Sequence, residues 1–167
     1  MLSHILRNFS LFVDGRGYAG DVEELTPPKL TMLTEEFRGG GMDAPVDVEM
    51  GMEKMECEFT LTKYDREVIK LFGLAPGNTT PLTLRGSAES EDGDNVPVVI
   101  NLVGKIRELE HGSWKAGEKA TLKAVVSLRA YKYTQAGEVL HDIDIMAMRR
   151  VIGGVDQMAA TRANLGI

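Results

Sequence analysis

Residues Glu35–Leu61 read EEFRGGGMDAPVDVEMGMEKMECEFTL, and the rest of the chain can be placed around them. Gly39, Gly40 and Gly41, followed by Met42-Asp43-Ala44-Pro45, form a flexible, solvent-compatible tip that cannot be the interior of a helix or strand. Strict alternation then begins. Val46, Val48, Met50 and Met52 are apolar at even positions, and after Glu53-Lys54 the apolar set moves to odd ones: Met55, Cys57, Phe59 and Leu61. Side chains on a strand alternate with period two, so this change of phase requires a tight turn or a β-bulge near Gly51–Lys54. Glu53-Lys54 lacks the Gly or Asn that a two-residue hairpin turn needs, which favours the bulge. The stretch reads as a long β-arm of about residues 35–61, glycine-tipped and apolar along one edge. Four of the nine methionines lie in Met42–Met55, and methionine is over-used where a surface must fit a partner. Two readings stand: an ordinary two-faced strand pair in a β core, or an arm whose exposed apolar edge another subunit must cover.

On the N-terminal side, Phe9, Leu11 and Val13 share one face of a short strand that ends at the turn Asp14-Gly15-Arg16-Gly17. Gly15–Gly20 also spells G-x-G-x-x-G, but Pro27-Pro28 arrives before any helix develops, so the dinucleotide reading fails on context. Tyr18–Leu25 reads as a second strand, and Leu30, Met32 and Leu33 begin a third that leads through Phe37 into the arm. On the C-terminal side Asp65 is placed to cap a helix with Val68, Ile69, Leu71 and Phe72 on its apolar face and Gly73 as its stop. Leu82–Ala88 is strand-like, and ESEDGDN at Glu89–Asn95 is a charged hairpin tip. Val96–Glu110 is a long strand with Val98, Ile100, Leu102 and Ile106 on one face. In Lys119–Thr134, Ala120, Leu122, Ala124, Val126, Leu128 and Ala130 form one face, and Lys119, Thr121, Lys123, Val125, Ser127, Arg129 and Tyr131 the other. Val139–Met148 returns as a strand, and a short helix within Val155–Leu165 has Met158, Ala159, Ala163 and Leu165 as its contacts. About eight strands and two helices argue for a mainly β barrel or sandwich with one internal helix, a short C-terminal helix and a protruding β-arm.

The 167 residues suit a single domain, 1–167. A formal charge of −6 argues against nucleic-acid binding by bulk electrostatics. Cys57 is the one cysteine, on the apolar side of a strand, so no disulfide forms within the chain and assembly in a reducing cytoplasm is expected. No apolar run reaches membrane-span length, and Met1–Asn8 lacks the apolar core and cleavage site of a signal peptide. His4, His111 and His141 lie far apart, none with a second histidine or cysteine at i+3 or i+4, so no metal site is expected. Asp142 and Asp144 share a strand face but have no further acids or Gly-rich loop for calcium or magnesium. There is no G-x-S-x-G and no P-loop. No catalytic residue, cofactor site or enzymatic activity is expected.

E-E-F-R-G-G-G-M-D-A-P-V with D-V-E-M-G-M-E closely resembles the major tail tube protein of contractile-tailed bacteriophages and R-type pyocins. The resemblance continues in Leu11–Gly15, Pro28-Lys29-Leu30, Trp114–Lys119, Asp142-Ile143-Asp144 and Gly154–Gln157, in order over nearly the whole chain. It implies a β-barrel-like subunit that forms six-membered rings stacked head to tail into a hollow tube, an association of unlike surfaces. It implies as partners other copies of the chain, the sheath, baseplate and tail terminator proteins, the tape-measure protein during assembly, and DNA in the lumen of a phage. The expected place is the tail of a virion or a pyocin particle, built in the bacterial cytoplasm. In that setting Phe37, Gly39, Gly40, Gly41, Met42, Asp43, Pro45, Val46, Val48, Met50 and Met52 are the candidate inter-subunit arm. Lys119, Thr121, Lys123, Ser127 and Arg129 are the candidate lumen or outer polar face. Basic residues that face a DNA-conducting lumen should be balanced by acids, because each unbalanced phosphate contact would slow passage. The alternatives are the tube of a related contractile injection or type VI secretion-like system, or a small β-barrel binding module.

Overall fold

A computed structural model of the protein describes residues 3–167; Met1 and Leu2, on which part of the signal-peptide reading rests, lie outside them. Strands dominate. In chain order they are β1 (Ile5–Val13), β2 (Arg16–Gly17), β3 (Val22–Thr26), β4 (Met32–Phe37), β5 (Val46–Met52), β6 (Met55–Leu61), β7 (Thr80–Glu89), β8 (Asn95–Glu110), β9 (Leu122–Gln135), β10 (Glu138–Asp144), β11 (Arg149–Ile152) and β12 (Val155–Asp156). Helix α1 (Arg66–Ile69) lies between β6 and β7, and α2 (Ala159–Leu165) closes the chain.

Strand β9 is the branch point of the main sheet. Its first half, Leu122–Leu128, pairs antiparallel with β6, and its second half, Ala130–Gln135, pairs with β10. Strand β8 runs along nearly the whole of the other edge. From β8 the sheet continues through β7 to β1 and β2; from β6 it continues to β3, and from β10 to β11 and β12. The inward residues Leu11, Val13, Cys57, Phe59, Leu61, Leu82, Leu102, Leu122, Ala124 and Val126 are almost fully buried and make one core. The clean burial alternation of β6, with every odd residue inside, follows from its odd-numbered apolar set. Strands β1 and β3 are not hydrogen-bonded to each other, so the barrel stays open. An apolar groove of about 660 Å³ lies there, lined by Leu6 and Phe9, by Leu25 and Pro27, and by Val98 and Tyr133.

Several sequence expectations are corrected here. The arm does not extend to Leu61: Met55–Leu61 is a central strand with both edges paired, to β3 and β9, and only the residues before Glu53 project. The expected bulge is present, with Met50 and Gly51 facing the single Leu33, and Gly51 has φ +98°; the chain then passes to the other sheet through Glu53-Lys54. In β9 the phase assigned to Ala130 and Tyr131 is reversed. Arg129 is an extra residue between the Val103–Ala130 and Gly104–Leu128 pairs, so Tyr131 turns inward to 6% exposure. Lys119, Ala120 and Thr121 precede the strand rather than belonging to it, and Ala120 is exposed. Helix α1 is a single turn. Asp65 caps it as expected, accepting from the amides of Glu67 and Val68 at 2.9 and 3.2 Å, but Phe72 lies beyond it, half exposed. Helix α2 buries none of its residues: Ala159, Ala163 and Leu165 are exposed, and the Arg162 guanidinium anchors the helix through Asp156 and the Met148 carbonyl.

Candidate functional site

Strands β4 and β5 form a two-stranded sheet of their own, and no third strand joins it among the described residues. The register runs Phe37–Val46, Glu36–Asp47, Glu35–Val48 and Thr34–Glu49, with Met32 opposite Met52 at the base. The ribbon is apolar on its surface, with Phe37 57%, Val46 50%, Val48 44% and Met50 52% exposed. An isolated two-stranded ribbon is marginal in water, and a flat apolar edge invites pairing with another chain. Acids punctuate it: Glu35, Glu36, Asp43, Asp47 and Glu49, against Arg38 alone.

The glycine tip is more ordered than its composition suggests. The Met42 amide donates to the Gly39 carbonyl at 3.2 Å, the Gly39 amide to Met42 Sδ at 3.0 Å, and Arg38 Nε to the Met42 carbonyl at 3.1 Å. Gly41 takes φ +84°, a conformation that favours glycine. At the base, the Glu53 amide donates to the Thr31 carbonyl at 2.9 Å. A hollow of about 380 Å³ there is lined by Met32 and Met52 from the ribbon and by His141, Ile143 and Ile152 from the main sheet. The ribbon is therefore fixed at its root and exposed along its length. Phe37, Gly39–Asp43, Pro45, Val46, Val48 and Met50 all lie on this projecting part, while Met52 packs against the core at the root.

The five residues assigned to a polar face divide between the loop before β9, with Lys119 and Thr121, and β9 itself, with Lys123, Ser127 and Arg129. Lys119 stands in the loop before β9 and reaches Glu23 at 3.2 Å. Lys123, on β9, meets Glu58 across the strand at 3.6 Å. Ser127 faces Glu56 on β6, and Glu56 is held by Lys54 and Arg107, each at 3.1 Å. The Lys54 ammonium first, and Arg107 with it, holds the Glu56 carboxyl below its usual value against the opposing effect of burial. Arg129 occupies the bulge. On the outward side of β6 and β9 the acids Glu56 and Glu58 are thus each met by a cation.

Asp142, Asp144 and Cys57 have structural roles. Asp142 pairs with Arg149 at 3.2 Å, and Asp144 accepts the Ala147 amide at 3.1 Å in the turn after β10. Burial pushes the Cys57 thiol up to about 12, leaving negligible thiolate at neutral pH. No group of three or more potential metal ligands exists among the described residues, and no helix there is long and apolar enough to cross a membrane.

Trp114 enters the sequence reading as part of the resemblance and without a site role, and the structure exposes it. The loop 111–121 between β8 and β9 carries Trp114, 80% exposed. Its indole N–H donates to the Tyr64 hydroxyl at 2.8 Å, which itself donates to the His111 carbonyl at 2.6 Å. A tryptophan outside any hydrophobic alternation was the available signal.

Comparison with known proteins gives a consistent result. The family model described as phage tail tube protein FII matches residues 3–166. The chain is 31% identical to the tail tube protein of Escherichia phage P2, over 97% of this chain and 96% of that one. It is 28% identical to the major tail tube protein of Serratia phage KSP20, over 84% and 82% respectively. Among solved structures, a chain of the sheath–tube complex of an extracellular contractile injection system superposes with a TM-score of 0.60 at 12% identity. That match covers 76% of this chain and 88% of the other.

Proposed function

The chain belongs to the phage tail tube protein FII family, and from that premise we propose that its copies close into six-membered rings and stack into the hollow tube of a contractile tail. Its role is structural and not enzymatic, and its place is the virion tail. The reading treats the whole chain as one tail-tube domain from which the β4–β5 ribbon extends to a neighbouring subunit. The observation that carries it is the ribbon itself, rooted at Met32 and Met52 and exposed at Phe37, Val46, Val48 and Met50. Covering about 1,000 Å² of apolar area per subunit would contribute a gross 25 kcal/mol or so at roughly 25 cal/mol/Å². Ordering the interface and losing rigid-body freedom offset much of it. The remainder repeats at every subunit along the tube.

Sheath, terminator and baseplate proteins are the further partners we propose; chains that share the fold occur in a sheath–tube complex, a sheath/tube terminator and a baseplate. A tape-measure protein during assembly and DNA in the lumen complete the proposal for a phage particle. The paired charges outside β6 and β9 are compatible with a wall that does not hold phosphate. The likeness to injection-system tubes, at 12% identity or less, extends to the fold alone, whereas the family match spans the chain.

The test shortens the ribbon while keeping its root. Thr34 and Glu49 face each other, so joining them through an Asn-Gly turn removes the tip and the exposed apolar residues Phe37, Val46 and Val48. The full chain at high concentration should form rods visible by electron microscopy, and the shortened protein should keep its circular dichroism spectrum and form none. Rods of normal length and yield from the shortened protein would refute the role given to the ribbon.

A further inference from the structure

Strands β8 and β9 form the longest ladder in the molecule, and its two ends differ in kind. One end carries the loop 111–121 with Trp114 exposed. The other is the site of the apolar groove, whose wall includes Val96, Val98, Tyr131 and Tyr133 from this same strand pair. From Val98 to Glu110 is twelve residue steps along β8, roughly 40 Å at about 3.3 Å per residue.

We propose that Trp114 of one subunit seats in the open groove of the subunit stacked on it, so that the β8–β9 ladder makes the head-to-tail joint between successive rings. The proposal rests on the tube reading above and names the surfaces that join.

Three observations support a second copy as the occupant. First, the Trp114 indole N–H is already bonded to Tyr64. Burying the ring in an apolar groove therefore strands no donor, and a satisfied, exposed aromatic suits the centre of an interface. Second, the groove is about 660 Å³ and opens between Leu6 and Phe9, 59% and 39% exposed, and the half-buried Leu25. Third, the charge beside the indole is opposite in sign to those at the groove end. The β7–β8 turn at the groove end carries Glu89, Glu91, Asp92 and Asp94, with Arg7 bound to the first two. Lys115, beside Trp114, makes no ion pair among the described residues. Knob and groove are unlike surfaces at opposite ends of one subunit, so their association does not saturate at a dimer but propagates as a stack.

Trp114 is the only tryptophan in the chain, so intrinsic fluorescence reports on this site alone. In the free subunit its emission should be that of water-exposed indole, readily quenched by acrylamide. In sedimented tubes the emission should shift to the blue and quenching should fall severalfold. Trp114→Ala changes an exposed side chain and should leave the subunit folded, while raising the protein concentration needed for tubes at least tenfold. Lys115→Glu should weaken stacking, and Asp94→Lys in the same chain should restore it in part. Tubes whose Trp114 stays as quenchable as in the subunit, or a Trp114→Ala protein that assembles at the original concentration, would overturn the joint but leave the tube reading standing. A wild-type protein that forms no tubes at any concentration would overturn both.

Discussion

Gly104 is required by contact rather than by backbone angle. A Cβ there would lie 2.2 Å from the Ser127 carbonyl oxygen and 3.0 Å from Leu128 Cα, both backbone atoms of β9. The close approach is the counterpart of the bulge at Arg129, where β8 and β9 change register. Gly104→Ala should therefore force the two strands apart and lower stability by about 3 kcal/mol, read as a reduced urea midpoint. The same pair of residues shows what sequence could and could not convey. An isolated glycine in an apolar run is visible, but the Arg129 bulge across from it is not, because nothing in LRAYKY marks an extra residue. Alternation was read straight through that point, and Ala130 and Tyr131 were given each other's faces.

Among elements, the one-turn helix α1 depends on its cap. Burial would raise the Asp65 carboxyl, but the hydrogen bonds from the Val68 amide, the Tyr18 hydroxyl and the Glu67 amide outweigh it and leave the group below its usual value. A depressed carboxylate contributes stability above its unfolded value of about 3.9 and loses it as pH falls through the folded value. Asp65→Ala should cost about 1 kcal/mol at pH 7, and denaturation curves of variant and wild type should converge as the pH drops below about 4. Tyr18 moves the opposite way, pushed up to about 12 by burial first and by Asp65 next. The cap was legible because an Asp before an apolar set has a local signature. The helix's length was not, because Leu71 and Phe72 continue the periodicity after the backbone has left the helix. The ribbon divides similarly: tip, alternation and bulge could be read, but its end at Glu53-Lys54 could not. That boundary is fixed by Met55–Leu61 finding partners in β3 and β9, a long-range pairing that no window of sequence contains. Helix α2 buries none of its residues and is held to its own subunit through Arg162, so its apolar positions Ala159, Ala163 and Leu165 stay exposed.

For the whole molecule, the open barrel and the projecting ribbon leave apolar surface that assembly would remove from water. Stacked copies should then be stabilised by mass action, since polymer forms from folded subunits alone. Calorimetry of tubes should show unfolding at a higher temperature than that of dilute subunits, and the gap should grow with protein concentration. Equal transition temperatures would mean that assembly buries little. The overall class, a mainly β fold, was legible because strand alternation and the family resemblance spoke to it from many positions at once. Which subunit surfaces meet was not, since alternation distinguishes two faces of a strand without saying what lies beyond either.

Strand β9 is bonded along both edges, by β8 on one side and by β6 then β10 on the other, and that arrangement has a kinetic outcome. Its amide protons cannot reach solvent until neighbours on either flank let go, so deuterium should enter them last and only through global opening. In the dilute subunit the amides of Phe37–Met50 should fill early, and in the polymer they should slow towards the pace of β9.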